Sequence, residues 1–193
     1  MIQVLNRQIL HNVPFEVYQT LGGLSHSDIK NAGKPFTAPT QKMLLGTAVH
    51  NYLLEPEKYN HENIDVVKPA AIAIKKKIGP LWQYLRPEVC VTCTMVTNGM
   101  MIRYRGRADL NIPEQLIIDI KVSEVPLFVS VKRFGYDEQG TGYCLGFGAR
   151  VGMIIRVNPK RPDDEPEIYI VKQNPAWWEN QILSKGIPYE YAG

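Results

Sequence analysis

The chain has 193 residues, of which 45% are hydrophobic and 21% charged, and these values are typical of a soluble globular domain with a sizeable core. It contains no apolar run of about 18 residues and no signal-peptide pattern, which argues against a membrane span and a secretory leader and favours a cytoplasmic protein. A net charge of +3 permits a nucleic-acid partner without requiring one, because binding of nucleic acid depends on how positive charges are clustered and not on their total.

The first predicted elements lead into the core. Residues 1–23 end in two glycines and are interpreted as an N-terminal arm or lead-in, with residues 24–193 forming the core of a single domain. A short helix is predicted over 26–33, with Ser25 or Ser27 as its cap and Gly33 at its end.

A second helix is predicted over residues 41–54, after a loop that contains two prolines. Thr40 is its candidate cap, and apolar residues recur along it at helical spacing. The next segment, residues 57–87, is ambiguous, because its helical character is interrupted by the dipeptide Gly79-Pro80.

From Glu88 onward the pattern changes to strands. VCVTCTMV and MMIRYRGRADL flank an Asn98-Gly99 turn and predict a hairpin, and QLIIDIKVS predicts a third strand. The remaining predicted elements are a helix from Val125 to about Val151 interrupted at Gly135, two strands over GMIIRVNP and PEIYIVK, and a final helix capped by Asn174 and ended by Gly186. This order predicts an α/β fold with a central mixed β-sheet flanked by helices.

The segment IDIK carries the first chemical signal. Side chains two residues apart in a strand share a face, so Asp119 and Lys121 project together and Ile118 and Ile120 project to the other side. Both charged groups are expensive to bury without a partner. A strand end in solvent or a simple ion pair would also explain them, so the segment alone does not establish a site.

Asp109 ends the preceding predicted strand. If the two strands pair around the turn between them, Asp109 and Asp119 come close and repel each other. A divalent cation would relieve that repulsion, and Mg²⁺ prefers one or two carboxylates together with water and substrate phosphate. Gly106, three residues before this aspartate, is a candidate for a bulge or a close backbone approach.

Three further residues are candidates only in combination. Gln139 and Tyr143 are four apart on one helical face, where they could orient water or phosphate. Taken without other motifs, packing of Tyr143 and solvation of Gln139 are the better explanation. His50 lies inside the helix over 41–54, and a lone helical histidine is more often a core residue than a metal ligand.

The cysteines do not predict a cluster or a disulfide framework. Cys90, Cys93 and Cys144 supply three thiols, whereas an iron–sulfur cluster or a closed zinc site needs four ligands. The pair Cys90 and Cys93 lies in a predicted strand, where positions three apart face opposite sides. We therefore interpret them as packing residues and expect no iron–sulfur cluster.

Taken in order, these motifs resemble the PD-(D/E)xK nuclease superfamily. A helix with GxxxH is followed by an aspartate, by D-x-K, and by a helix with Q-x-x-x-Y, as in the RecB-like branch. LSHSDIK, LLGTAVHNYLLEPEKY, GRADL, IDIKVSEVP and YDEQGTGYCLGF look like the nuclease domain of exonuclease VIII (RecE) and its phage relatives. The resemblance covers about residues 20–150 and implies a restriction-endonuclease-like core.

The resemblance also implies a role for each motif position. One or two magnesium ions, replaceable by manganese, would be held by His50, Asp109, Asp119 and the carbonyl of Ile120. Lys121 would position or deprotonate the attacking water, which requires a pKa lowered by the cation. Gln139 and Tyr143 would support this lysine and the phosphate. The candidates for salt-sensitive contacts with the DNA backbone are Arg105, Arg107, Lys132 and Arg133.

The implied activity is 5′–3′ exonuclease digestion of linear duplex DNA in recombination or repair. A homo-oligomeric ring and a single-strand annealing partner are implied with it, in a bacterial or phage-infected cell. The chain departs from the family pattern in two glycines, Gly140 and Gly142, which either admit close contacts or weaken this helix. The alternatives are an endonuclease or single-strand-specific nuclease of the same superfamily, and a catalytically silent DNA-binding or assembly protein.

Overall fold

A mixed sheet of seven strands forms the centre of the computed structural model, which describes residues 1–32, 34 and 38–188. Six strands follow one another across the sheet in chain order, and the short seventh pairs with the third. The strands are β1 (Gln3–Leu10), β2 (Arg86–Thr97), β3 (Met100–Ile112), β4 (Leu116–Val122), β5 (Val151–Val157), β6 (Glu167–Ile170) and β7 (Ile187–Pro188). Only β4 and β5 are parallel, so the predicted mixed sheet is confirmed.

Seven α-helices flank this sheet in the residues that the structure describes. They are α1 (Phe15–Thr20), α2 (His26–Lys30), α3 (Gln41–Leu54), α4 (Ile64–Ile78), α5 (Leu127–Phe134), α6 (Tyr136–Phe147) and α7 (Pro175–Lys185). Within the described part of the chain, every helix is too short or too polar to cross a membrane.

Local sequence signals place several element ends. The β2–β3 hairpin turns at Asn98 and Gly99, whose φ angles of 48° and 74° are those of a two-residue primed turn. The side chain of Thr40 caps α3, and that of Asn174 accepts from an amide in the first turn of α7. The ambiguous segment 57–87 contains α4 and a following 3₁₀ turn. These two caps and the hairpin were predicted, and the structure confirms them.

The structure adds a strand within the predicted N-terminal arm or lead-in. Residues Gln3–Leu10 form the edge strand β1, which pairs antiparallel with β2 from Gln3↔Val96 to Leu10↔Cys90. Most β1 side chains are exposed or half-buried, so the strand carries no clear hydrophobic alternation. Backbone pairing with a distant segment positions it, and a local pattern cannot reveal such pairing.

Two helix ends also differ from the predictions. α2 ends at Lys30, and Gly33, its predicted end, lies outside the described residues. The helix predicted to reach Val151 is interrupted at Gly135 as expected, but its second part ends at Phe147. Gly148 then adopts a left-handed φ of 71°, which stops the helix and lets the chain turn into β5.

Each face of the sheet covers its own core. Helices α3 and α4 pack on one face against apolar residues that include Leu110, Ile118, Ile120 and Ile155. Helices α6 and α7 pack on the other face, where Trp178 is fully buried. Ile118 and Ile120 of β4 thus pack in the core beneath α3 and α4. The opposite face of the strand lies towards α6, as its period-two pattern predicts.

The glycines of α6 admit close packing and are not a sign of a weak helix. A Cβ atom on Gly142 would lie 2.4 Å from the ring of Trp178, and one on Gly140 would lie 2.5 Å from Val171. Both glycines are buried, so the helix approaches its neighbours more closely than alanine would allow. Of the two explanations that the sequence left open for these glycines, close contacts and a weak helix, the structure supports close contacts.

Two glycine-to-alanine changes are therefore expected to have opposite effects on stability. Gly142→Ala should lower the free energy of unfolding by about 1–3 kcal/mol, because overpacking outweighs the gain in helix propensity. Gly46→Ala in α3 should raise it by up to about 1 kcal/mol, because the nearest atom to an added Cβ is 3.9 Å away. Urea unfolding of both variants measures these changes, and a stabilised Gly142→Ala would contradict the packing argument.

Candidate active site

The candidate site lies where β3 and β4 separate. The two strands pair only from Leu110↔Ile118 to Ile112↔Leu116, next to the turn that joins them. Beyond this point β4 continues in parallel pairing with β5. The backbone of Ile120 is therefore free on its β3 side to meet side chains instead of a strand.

Two side chains bond the backbone of Ile120 at this opening. The Ile120 amide donates to Asp109 Oδ2 at 2.5 Å, and His50 Nε2 lies 3.0 Å from the Ile120 carbonyl oxygen. His50 Nδ1 lies 3.4 Å from Asp109 Oδ1. Both ring nitrogens thus face acceptors, which favours the protonated imidazole. Burial alone would lower the pKa of His50, but Asp109 raises it to about 9.

Asp119 and Lys121 form the second part of the site. Asp119 is only 6% exposed, and its Oδ2 lies 2.6 Å from Lys121 Nζ. Burial raises the pKa of Asp119, with a further rise from the charge of Asp109 that Lys121 opposes. Burial would lower the pKa of Lys121, but both aspartates outweigh it and raise the pKa, so this lysine is charged.

Helix α6 supplies the predicted glutamine and tyrosine. Gln139 Nε2 lies 3.5 Å from Asp119 Oδ1 and 3.1 Å from the hydroxyl of Tyr143. Burial raises the pKa of Tyr143 well above its ordinary value, so the phenol is neutral. The resemblance implied support for Lys121, whereas the contact of Gln139 in the structure is with Asp119.

The oxygen atoms of this site fit a divalent cation. Asp119 Oδ2 is buried and, among the described residues, has a charged neighbour in Lys121 but accepts no hydrogen bond of normal geometry. The carboxylates of Asp119, which is buried, and of Asp109, which is partly buried, lie close enough for their charges to interact. Carboxylate and carbonyl oxygens are hard ligands of the kind that Mg²⁺ and Mn²⁺ accept. The donor set therefore suits such a cation.

The structure adds Glu88, which the sequence analysis did not single out. Ligand atoms of His50, Glu88 and Asp109 all lie within 4.8 Å of one another, so the three residues could hold a metal ion. Burial raises the pKa of Glu88 to about 7, and the charge of Asp109 contributes to the rise. Glu88 stands at the start of a strand with no motif around it, and only the pairing of β2 with β3 brings it here.

Arg105 and Arg107, two of the residues predicted to contact DNA, form ion pairs and hydrogen bonds within the protein. Arg105 donates to Asp28 and to the carbonyls of Gln19 and Leu21. Arg107 donates to Glu88, and its side chain is 9% exposed. DNA contacts by these arginines stay predictions that would require these bonds to be exchanged. Their alternation along β3 indicated a basic run, but α1, α2 and β2 cover it.

The remaining predicted positions are Lys132 and Arg133 on α5 and Gly106 on β3. Lys132 and Arg133 are exposed near the end of α5, the helix before α6. Gly106 shows no bulge, because β2 and β3 keep one register through it. A Cβ at Gly106 would instead lie 2.7 Å from the Tyr104 hydroxyl and 3.1 Å from the ring of Tyr143. The close approach predicted for Gly106 is thus made by tyrosine side chains.

All three cysteines are buried as free thiols. Burial raises the pKa of Cys90 to about 11 and that of Cys93 to about 12, so both remain protonated at neutral pH. Cys93 packs in the core beneath α6 and α7. The burial of the three thiols agrees with the interpretation of these cysteines as packing residues.

His26 links the stability of the fold to pH. It is 6% exposed beside Trp177, and burial, reinforced by Lys30 and Lys121, lowers its pKa from 6.5 to about 4. Between these two values His26 is protonated in the unfolded chain and neutral in the folded one, so its contribution to stability falls as the pH falls. This contribution of His26 is expected to decrease by roughly 2 kcal/mol between pH 7 and pH 4.5.

The pH effect is measured by urea unfolding at both pH values. His26→Gln should remove that part of the pH dependence, whereas His61→Gln, at an exposed position, should keep it. An unchanged pH dependence in His26→Gln would show that other groups cause the acid destabilisation.

Comparison with known proteins supports the fold. No family model and no curated protein matches the sequence. The crystal structure of a "putative exonuclease" from Eubacterium rectale is similar with a TM-score of 0.50 and 20% identity, over 80% of this chain and 67% of that one. The crystal structure of SSO0001 aligns over 84% of both chains at 17% identity with a TM-score of 0.43. At such identity the likeness concerns the fold alone, and the mixed sheet flanked by helices is consistent with the predicted restriction-endonuclease-like core.

Proposed function

We propose that this protein is a nuclease that hydrolyses phosphodiester bonds of DNA with the help of a divalent cation. The observation that carries the proposal is the group formed by the buried Asp119 and the partly buried Asp109 and Lys121 where β3 and β4 separate. Two carboxylates whose pKa values depend on each other, beside a charged lysine, are costly to maintain in a purely structural role. A bound cation would be held by the two carboxylates, and the lysine would pair with a phosphate.

The residues that would hold the cation are His50, Asp109, Asp119 and the carbonyl of Ile120. When bound, Mg²⁺ supplies Lewis acidity, which polarises a phosphoryl oxygen and lowers the pKa of coordinated water. His50 can serve as a ligand only after losing a proton, because its nitrogens now face Asp109 and the Ile120 carbonyl.

The neighbouring side chains set the charge and orientation of the reacting groups. Lys121, charged in this structure, would offset phosphate charge and donate to the attacking water or a phosphate oxygen. It would act as a base only if the cation lowered its pKa, since the aspartates alone raise it. Gln139, itself held by Tyr143, would fix the direction of the Asp119 carboxylate. Lys132 and Arg133 remain candidates for contacts with the DNA backbone.

The finer proposal is a 5′–3′ exonuclease on linear duplex DNA in recombination or repair. The order of the sequence motifs supports it, and so does the fold likeness to the Eubacterium rectale protein, whose name refers to an exonuclease. We extend the proposal to a homo-oligomeric ring around DNA and to an annealing protein that receives the single strand. A strict monomer in size-exclusion mass measurements would count against the ring.

Digestion of end-labelled linear and circular DNA, with magnesium or with EDTA, tests the proposal. We expect the linear duplex to be shortened from its 5′ ends only with magnesium, while the circle persists. Cutting of the circle would point to an endonuclease, and preference for single strands to a nuclease of that class. If neither substrate is cleaved with magnesium or manganese, the protein is not a nuclease, and a DNA-binding or assembly role becomes the better explanation.

A further inference from the structure

Tyr136 is the first residue of α6 and lies about one helical turn before Gln139. Positions 136, 139 and 143 are separated by three and four residues, so their side chains follow one face of the helix. Gln139 contacts Asp119 and donates to the hydroxyl of Tyr143. The face of α6 that reaches the carboxylate of β4 therefore also carries Tyr136.

The ring of Tyr136 lies against the ammonium group of Lys121. Lys121 Nζ is 5.1 Å from the centroid of this ring, within the range in which the electron-rich face of an aromatic ring attracts a cation. The same nitrogen lies 2.6 Å from Asp119 Oδ2. The ammonium group thus contacts both an anion of its own strand and an aromatic ring of α6.

Packing fixes the position of the Tyr136 ring. The residue is 9% exposed and belongs to an apolar cluster with Leu127, Val131, Ile154 and Val171. Burial raises the pKa of its phenol, so the ring is uncharged and keeps the negative face that attracts a cation. A ring that is fixed in this way defines a resting position for the ammonium group.

The ion pair with Asp119 alone would not hold Lys121 in a working site. The side chain of this lysine is partly exposed and has a flexible four-carbon stem. The proposed cation uses the same carboxylate, so its binding would weaken the attraction between Asp119 and the lysine. An aromatic ring attracts the ammonium group without a formal charge and does not compete for the cation. Tyr136 would therefore still hold the lysine after the cation has bound.

We propose that Tyr136 is a positioning residue for Lys121 and holds its ammonium group beside Asp119, ready to contact the phosphate or the attacking water. The inference rests on the proposed function, because it assigns a task to Tyr136 within the same site. Helix α6 then orients both charged groups of β4, the carboxylate through Gln139 and the lysine through Tyr136. Tyr136 acts through the lysine and does not itself bind the cation.

A double-mutant cycle in urea unfolding tests the contact without DNA or cation. Tyr136→Leu should reduce the folding equilibrium constant about three- to tenfold more in the wild-type background than in a Lys121→Gln background, which lacks the ammonium group. Tyr169→Leu is the matched control, because Tyr169 packs against the same apolar cluster while its hydroxyl donates to Asp137. This control should cost the same in both backgrounds. Equal losses from Tyr136→Leu in the two backgrounds would overturn the proposal.

Cleavage kinetics test the positioning itself. Tyr136→Leu should lower kcat on the order of tenfold with little change in KM for linear duplex DNA, because the lysine is misplaced while DNA still binds. Tyr136→Phe keeps the ring and should retain the wild-type kcat. In a Lys121→Gln background, Tyr136→Leu should bring no further loss. Wild-type kcat in Tyr136→Leu, or a Tyr136→Phe enzyme that is equally slow, would refute the role of the ring.

Fluorinated rings keep the test decisive if Tyr136→Leu does not fold. Phenylalanine analogues of increasing fluorine content, incorporated in place of Tyr136, keep the shape of the ring and weaken its negative face. Both kcat and the stability coupling to Lys121 should fall with each added fluorine, and constant values would contradict the proposal. Failure of the nuclease proposal would appear separately, as absence of DNA cleavage by a protein that retains the stability coupling.

Discussion

Replacement of Asp119 by asparagine or of Lys121 by methionine is expected to lower magnesium-dependent DNA cleavage on the order of a hundredfold or more. Asp119→Asn keeps the size of the side chain but removes a charge that would hold the cation. Lys121→Met keeps the aliphatic chain and removes the charge that lies 2.6 Å from Asp119. The rate of release of labelled nucleotides from linear duplex DNA under saturating magnesium measures both effects.

The controls for this prediction are surface residues of the same type. Asp164 and Lys160 have side chains that are 61% and 73% exposed, so Asp164→Asn and Lys160→Met should cleave DNA at the wild-type rate. Thermal unfolding of each variant separates loss of chemistry from loss of fold. Wild-type rates in folded Asp119→Asn and Lys121→Met would show that the catalytic centre lies elsewhere.

The largest loss of stability is expected from Trp178→Ala. Trp178 has no exposed surface, packs edge-on against Tyr104 with 5.3 Å between ring centroids, and donates from Nε1 to the Glu138 carbonyl at 2.8 Å. Its ring also fills the space that Gly142 leaves in α6. Removing it creates a cavity and leaves a carbonyl without its donor, which should lower the free energy of unfolding by about 3–5 kcal/mol.

Its neighbour in the same helix is the matched control. Trp177 is only half-buried, and Trp177→Ala should cost less than about half as much as Trp178→Ala. Urea unfolding gives both values. Equal losses for the two tryptophans would mean that the contacts of Trp178 with α6 and β3 are not what stabilises this side of the sheet.

Because Glu138 and Gly142 lie in the helix that carries Gln139 and Tyr143, the Trp178 contact also positions the candidate site. The packing that stabilises the fold and the hydrogen bond that orients Asp119 thus depend on one helix. A glycine-rich α6 lies close to β3 and α7, and this closeness brings Gln139 within reach of Asp119. Stability and orientation of the site are therefore coupled through packing.

Short-range patterns were sufficient for a large part of the fold. The alternation in IDIK predicted that Asp119 and Lys121 share a face, because a strand repeats every two residues. Capping residues such as Thr40 and the Asn98-Gly99 turn predicted element ends, since each acts on amides or dihedral angles within a few residues. The order of motifs along the chain then predicted which residues belong together.

The sequence by itself thus determined the class of fold, most of its elements and the candidate trio of Asp109, Asp119 and Lys121. Only the tertiary structure decided that β3 and β4 separate at Ile120, that Gln139 contacts Asp119, and that Glu88 joins the site. The same is true of the edge strand β1 and of the internal ion pairs of the arginines on β3. These features depend on pairing and packing between segments far apart in the chain, and no local periodicity, cap or turn encodes such contacts.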